Sequence, residues 1–473
     1  QHAPPGCERC TGPPFPLTGG HVCPASASHP RLRARARQMG LKWQNFLELC
    51  GGPELKKHRP LGRLTSEAPA FGDKFDEDSA SPAVPWSCPG RCAEVAPMTS
   101  EELAESMSEV CSMMRPWDSG RFSLVRHLQA ALGNYGSVDM MRSRKETGPP
   151  VAVKQMPNTW VTFGPEDFAD RHPESPEKPW YDLGICAALN RRGFPYAVDL
   201  LGIFCDREHT YAVTSLATEG DLFSWCSRMP FPGAEREAQM LPIAAQIFTA
   251  VRWLHQLGVA HRDLSLENIL LTDTGGGHVR VQIIDFGMCT LSRHCVGEVR
   301  GKQAYQAPEM HGAEAVYDPL VADAFQLGVV LFAMAAQDYP WSSTRPGTCS
   351  LFEYIRTSGF QRFLEKRVLG RSASPKRLSS PKQLFVADVF SPALVELLGG
   401  LLEIQPSERL VLEAACFEDE PATRERRRSV WDARWLDGAF ASLTSGNWPA
   451  GAEELREGIT APGGASEGMG MRS

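Results

Sequence analysis

The stretch VAHRDLSLENILL, residues 259–271, holds a carboxylate, Asp263, and a carboxamide, Asn268, five positions apart in an apolar frame. A second carboxylate, Asp285, follows in IIDFG. Oxygens of this kind are hard donors suited to Mg2+, which takes few protein ligands and completes its shell with phosphate and water. Upstream, ALGNYGSV supplies Gly133, Gly136 and Val138. Glycines there let backbone fold closely over phosphates that a side chain would obstruct. Sixteen residues after Val138, Lys154 ends VAVK on a predicted strand, where taken alone it would be an exposed lysine. The combined chemistry is that of a phosphate-bearing ligand and a divalent cation.

These residues need a frame, and the texture of the chain supplies one between about 120 and 415. GPPVAVKQM and TYAVTSL are short apolar or β-branched runs bounded by turn residues, as in a small antiparallel sheet. Strand alternation points Ala152 and Lys154 to one face. Residues 237–257 and 321–336 carry apolar residues at helical spacing. A β-rich lobe followed by a helical lobe is implied, an α+β bilobal arrangement. Residues 1–119 mix Pro, Gly, Ser and charge and read as a low-order extension with helix-like patches at 37–50 and 99–114. Thr99 and Ser100 can cap the second patch, and Glu101 and Glu102 suit its positive end. Residues 416–473 form a charged, Trp-bearing and then Gly/Ser-rich extension whose last twenty or so residues are expected to be disordered.

The order of the glycine turn, VAVK, HRDLSLEN, DFG and APE resembles the eukaryotic protein kinase catalytic domain over residues 120–415, with a β lobe at 120–214, a hinge at 215–217 and a helical lobe at 218–415. Any one string is weak, whereas the ordered set is specific. The resemblance implies ATP and Mg2+ as cofactors and a protein hydroxyl as acceptor. It casts Asp263 as the group that orients and deprotonates that hydroxyl, with Asn268 and Asp285 as metal ligands. Lys154 goes to the α- and β-phosphates and Ala152 to the adenine roof. Thr214 takes the position behind the base, Ser215, Leu216 and Ala217 the hinge, Asp221 the ribose side and Leu270 the adenine floor. Ala131 replaces the first glycine of the phosphate loop. The acidic partner of Lys154 is read as Asp182 in PWYDLGICAALN, one methylene shorter than the usual glutamate, with Glu174 and Glu177 as rivals. Glu309 of APE is expected to pair with Arg409, and Asp323 to anchor the catalytic loop from below.

One departure stands out. Ser265 occupies the place where serine/threonine kinases carry a lysine, and Lys302 stands in GK where they carry a threonine. The two residue types look exchanged, so Lys302 is expected to return the missing cation. Glu298, three residues before GK, is a fixed carboxylate that Arg262 could pair with in place of a phosphate; Thr290 and Ser292 are candidate phosphorylation sites. The Glu-Asn of the loop favours serine or threonine over tyrosine. The rival reading is a pseudokinase scaffold that binds nucleotide and recruits partners without phosphotransfer.

Composition bounds the alternatives. A net charge of −7 over 473 residues gives no reason to expect a nucleic-acid partner, which would call for a clustered basic surface. RLRARAR at 31–37 and RERRR at 424–428 read as solvated surface. The most apolar run, Leu327–Ala336, is too short to cross a bilayer and reads as a buried core helix. Fourteen scattered cysteines suit a reducing, cytoplasmic or otherwise intracellular setting. The first residue is Gln1, so a targeting peptide stays open. CERC at 7–10 with His21 and Cys23 is either a zinc site or part of an arm for a regulatory partner. Cys289, just past DFG, reads as packing.

Overall fold

The computed structural model describes residues 96–131, 136–145, 147–162, 164–312, 314–369, 384–412 and 428–437. Gly133, the N-terminal Cys/His cluster and the helix-like patch at 37–50 lie outside the described residues.

The first lobe is a six-stranded sheet in the order β1-β5-β6-β4-β3-β2, from β1 (Arg115–Pro116), β2 (Phe122–Ala131), β3 (Gly136–Ser143), β4 (Val151–Pro157), β5 (Leu200–Cys205) and β6 (His209–Ser215). Strands β2 to β6 pair antiparallel, as the patterning predicts. The edge strand β1 pairs parallel to β5 and comes from the segment read as extension. Along β4 the two faces divide as alternation requires. Val153 packs with Phe122, Phe204, Tyr211 and Val213 on one side. Met156, two residues from Lys154 and so on its face, packs with Trp180 and Leu183 on the other. Those two residues belong to helix Pro179–Arg191, called here the acidic helix because it carries Asp182.

The second lobe is mainly helical. A long helix, Ala234–Gln256, packs on a buried helix, Pro319–Ala336, in which every residue is inside. The buried helix is long and apolar enough to span a membrane by length and composition, but the fold encloses it completely. Its apolar character on all sides matches that burial. A small three-stranded sheet consists of β7 (Gly220–Asp221), β8 (Ile269–Gly275) and β9 (His278–Ile283), and β10 (Cys295–Val296) pairs with β11 (Val316–Tyr317). Buried Arg409 grips Glu309 with two bonds, Nη1 to Oε1 at 2.5 Å and Nη2 to Oε2 at 2.9 Å, the expected pairing.

Both flanks of this body are folded against it. Helix Ser100–Ser112, the extension helix, starts where capping predicts: Thr99 accepts the Glu102 N–H at 3.1 Å. Its buried residues Leu103, Ser106 and Val110 follow helical spacing. The segment after 427 returns to the helical lobe, with Trp435 donating to Glu237 Oε2 at 3.1 Å and Trp431 to the Leu412 carbonyl at 2.8 Å.

Candidate active site

The catalytic loop is suspended from the buried helix by two side chains one turn apart. Asp323 accepts the His261 and Arg262 N–H groups at 2.8 Å each, and His255 Nε2 lies 3.0 Å from it. Gln326 accepts the Leu264 N–H at 2.8 Å and donates to the Arg262 carbonyl at 2.9 Å. The sequence reading found Asp323 and missed Gln326, although a polar residue three positions on in an apolar helix was the available signal. With these bonds made, Arg262 holds a left-handed φ of 65° and Asp263 is buried in the loop.

Asn268 donates to both the carbonyl and the carboxylate of Asp263, at 2.8 and 2.9 Å. Asp285 is brought beside it by pairing of Ile269 with Ile283 and by the Ile284 N–H bond to the Asn268 carbonyl, 3.0 Å. Asp285 itself takes a left-handed conformation, φ 67°. Among the described residues no three or more His, Cys, Asp or Glu side chains form a metal cage. The available donors are a carboxamide and a carboxylate, a set that suits Mg2+ shared with the phosphates of a bound nucleotide.

On the other wall, Lys154 Nζ donates to Asp182 Oδ2 at 2.7 Å. The same carboxylate accepts the Phe286 N–H at 2.9 Å through Oδ1. Asp182, not Glu174 or Glu177, therefore meets the lysine, and it ties the lysine to the turn after Asp285. Burial works against the Lys154 charge, but the carboxylates of Asp182 and Asp285 outweigh it and hold the ammonium well above its ordinary pKa. Glu177 comes close enough for burial, helped by Asp285, to push its carboxyl up to about 6.

Several of the residues assigned to the nucleotide lie on paired strands, while Leu216 and Ala217 lie in the loop between β6 and β7. Val138 is opposite Lys154 and Ala152 opposite Thr214, while Leu270 pairs with Asp221 across β7 and β8. Ser215 is the last residue of β6 rather than free hinge; its N–H and hydroxyl both bond Asp199 at 2.9 Å. Asp221 caps helix Leu222–Arg228 by accepting the Ser224 N–H at 2.6 Å, so one of its oxygens is already committed.

Lys302 reaches the catalytic loop from the stretch between β9 and the buried helix, called here the activation segment. Its Nζ lies 2.7 Å from Ser265 Oγ and 3.0 Å from Glu267 Oε2, and its N–H donates to Asp263 Oδ1 at 3.1 Å. Burial opposes the ammonium, but Glu267 and Asp263 keep its pKa raised, so it is charged at neutral pH. Burial pushes the Asp263 carboxyl up, with Lys302 pulling it down and Asp285 pushing it up. The preceding Gly301 has φ +80°, and a Cβ there would stand 2.6 Å from the Arg262 carbonyl and 3.2 Å from Asp263 Oδ1. Only glycine permits that approach. Glu298 meets Arg262 Nη1 at 2.8 Å and Arg300 Nη2 at 3.0 Å. Arg262 also donates from Nε to the Met288 carbonyl at 2.6 Å, so one guanidinium ties the loop, the turn after Asp285 and the activation segment together. Cys289 is buried, and burial raises its thiol, as packing requires.

The family description "Protein kinase domain" matches residues 131–419, more than half of the chain. The chain belongs to the protein kinase family. Among curated proteins it is 30% identical over 232 residues to CBL-interacting serine/threonine-protein kinase 7 of Arabidopsis thaliana, covering 48% of each chain. It is 31% identical over 228 residues to serine/threonine-protein kinase grp of Drosophila melanogaster, covering 46% of this chain and 39% of that one. Testis-specific serine/threonine-protein kinase 5 of Mus musculus is 29% identical over 223 residues, covering 46% and 51%. The match thus spans about half the length of these relatives, or less.

Proposed function

We propose that this chain is a Mg2+-dependent serine/threonine protein kinase that moves the γ-phosphoryl group of ATP to a protein hydroxyl. The observation that carries this reading is the Asp182 carboxylate bonded at once to Lys154 and to the Phe286 amide. Those two bonds require the acidic helix, the strand lysine and the turn after Asp285 to be in register, the assembled state that phosphoryl transfer needs.

In this reading Lys154 orients the inner phosphates and Asp182 keeps it charged and aimed. Asn268 and Asp285 would hold Mg2+, which supplies charge neutralisation of the phosphate oxygens. Asp263 accepts a hydrogen bond from the acceptor hydroxyl and takes its proton as the new O–P bond forms and the bond to ADP breaks. Lys302 carries the positive charge that faces the transferring group, while Ser265 supplies the hydroxyl at its base. The exchanged pair thereby keeps a cation and a hydroxyl at the loop. Glu298, held by Arg262 and Arg300, orders the activation segment without a phosphate.

The test is transfer of labelled phosphate from ATP to a generic protein substrate by the full chain with Mg2+. Transfer that disappears in Asp263→Ala supports the reading. A wild-type chain that binds ATP yet labels no acceptor overturns it.

A further inference from the structure

The segment before the kinase domain is built into it at three places. Residues 96–98 are fixed to the helical lobe: the buried Met98 donates to the Leu257 carbonyl at 2.8 Å. The extension helix then lies along the acidic helix. Leu103 joins the core that holds Ile185 and Leu189, and Val110 joins the small core of Met156, Trp180 and Leu183. Beyond the helix, β1 adds to the edge of β5, and Trp117 stacks on Tyr211 with centroids 4.1 Å apart. One stretch of about twenty residues therefore runs from the helical lobe, across the acidic helix, to the far edge of the sheet.

Polar contacts fix how the two helices meet. Arg192, at the end of the acidic helix, donates from Nε to Glu102 Oε1 at 2.8 Å, from a second nitrogen to the other carboxylate oxygen, and to the Ala96 carbonyl at 2.8 Å. Arg191 bonds Glu109 and Ser106. At Gly184 the helices come so close that an added Cβ would lie 2.5 Å from Met107 Cγ and 3.3 Å from Leu103 Cδ1. Gly184 is two positions from Asp182, about 200° around the helix at 100° per residue. The extension helix thus bears on the face opposite the carboxylate, which must reach Lys154 through a single methylene.

We infer that residues 96–117 are a built-in positioning strap, with Met107 and the Arg192–Glu102 pair setting the distance from Asp182 to Lys154. This rests on the kinase reading and adds regulation to it: anything that lifts the extension helix lets the acidic helix recede and releases Lys154 and the Phe286 amide together. The strap residues touch neither nucleotide nor acceptor; they act through Asp182.

The test uses the full chain and two readouts, affinity for a non-hydrolysable ATP analogue and kcat/KM for ATP. Arg192→Glu is expected to weaken both by about tenfold, the scale of coupling between contacting groups, and Met107→Ala to do the same to a smaller degree. The charge-exchanged double variant Glu102→Arg with Arg192→Glu should recover most of the loss. In an Asp182→Ala background, Arg192→Glu should change either quantity less than about twofold, because the strap has lost what it positions. Unaltered analogue affinity in Arg192→Glu, no recovery in the exchanged variant, or an equal loss with Asp182 already removed each overturns the inference. A purely structural role gives that last result. Analogue affinity is read without phosphotransfer, so failure of the kinase reading shows in the wild type and failure of the strap only in the variants.

Discussion

The ammonium of Lys302 lies 2.7 Å from the hydroxyl oxygen of Ser265, although 37 residues separate them along the chain. The cation that the catalytic loop lacks in sequence is present beside it in space. Lys302→Met is therefore expected to lower kcat by about a hundredfold, the cost of removing a positioned charge from a transferring group, with little change in KM for ATP. The exchange variant Ser265→Lys with Lys302→Thr should regain most of that rate. Steady-state kinetics on the three proteins decides it; wild-type kcat in Lys302→Met would refute the assignment.

Lys302 also opposes the effect of burial on Asp263. Burial raises that carboxyl and the Lys302 charge holds it down. The working form of Asp263 is ionised, so the rate falls as pH drops through its pKa, and the acid limb of the kcat/KM profile should lie above the ordinary carboxylate range. Removing the lowering charge in Lys302→Met should move that limb to higher pH, while Lys302→Arg leaves it in place. A limb that stays put in Lys302→Met would separate the two residues functionally.

Glu298 should make activity independent of phosphorylation of the activation segment. Treatment with phosphatase is expected to leave the rate unchanged, and Glu298→Ala to lower it by about tenfold or more by leaving the buried Arg262 guanidinium without its carboxylate. Loss of activity after phosphatase treatment would instead point to Thr290 or Ser292.

Gly301→Ala combines a forced left-handed backbone with a Cβ 2.6 Å from the Arg262 carbonyl. The segment must move away from Asp263, carrying Lys302 with it. The expected result is a large loss of kcat, with a fall in stability of about 1–3 kcal/mol in denaturant unfolding. A variant with normal rate and stability would mean that the activation segment is not held this tightly.

The Arg409–Glu309 pair supports the helical lobe from beneath, with the Arg409 side chain fully buried and that of Glu309 12% exposed. Arg409→Leu leaves a buried carboxylate uncompensated and should cost about 3–5 kcal/mol, read as a lower Tm. Adding Glu309→Gln should recover part of it.

The order of amino acids was enough to give the two-lobed frame and the identity of the chemical groups, because those depend on local patterning. Alternation along VAVK fixed which face Lys154 occupies, capping at Thr99 fixed the start of the extension helix, and the ordered motifs fixed Asp263, Asn268 and Asp285. It also named Asp182, but could not set it apart from Glu174 and Glu177, since reach to Lys154 depends on where a helix lies and not on spacing in the chain.

Three-dimensional packing settled that question, and with it the second bond of Asp182 to Phe286, the partnership of Gln326 with the catalytic loop, the capping duty of Asp221, and the seat of Met107 at Gly184. Each is a contact between segments distant along the chain. Its existence is set by how apolar faces pack, and no local pattern in the sequence encodes the distance between two packed elements.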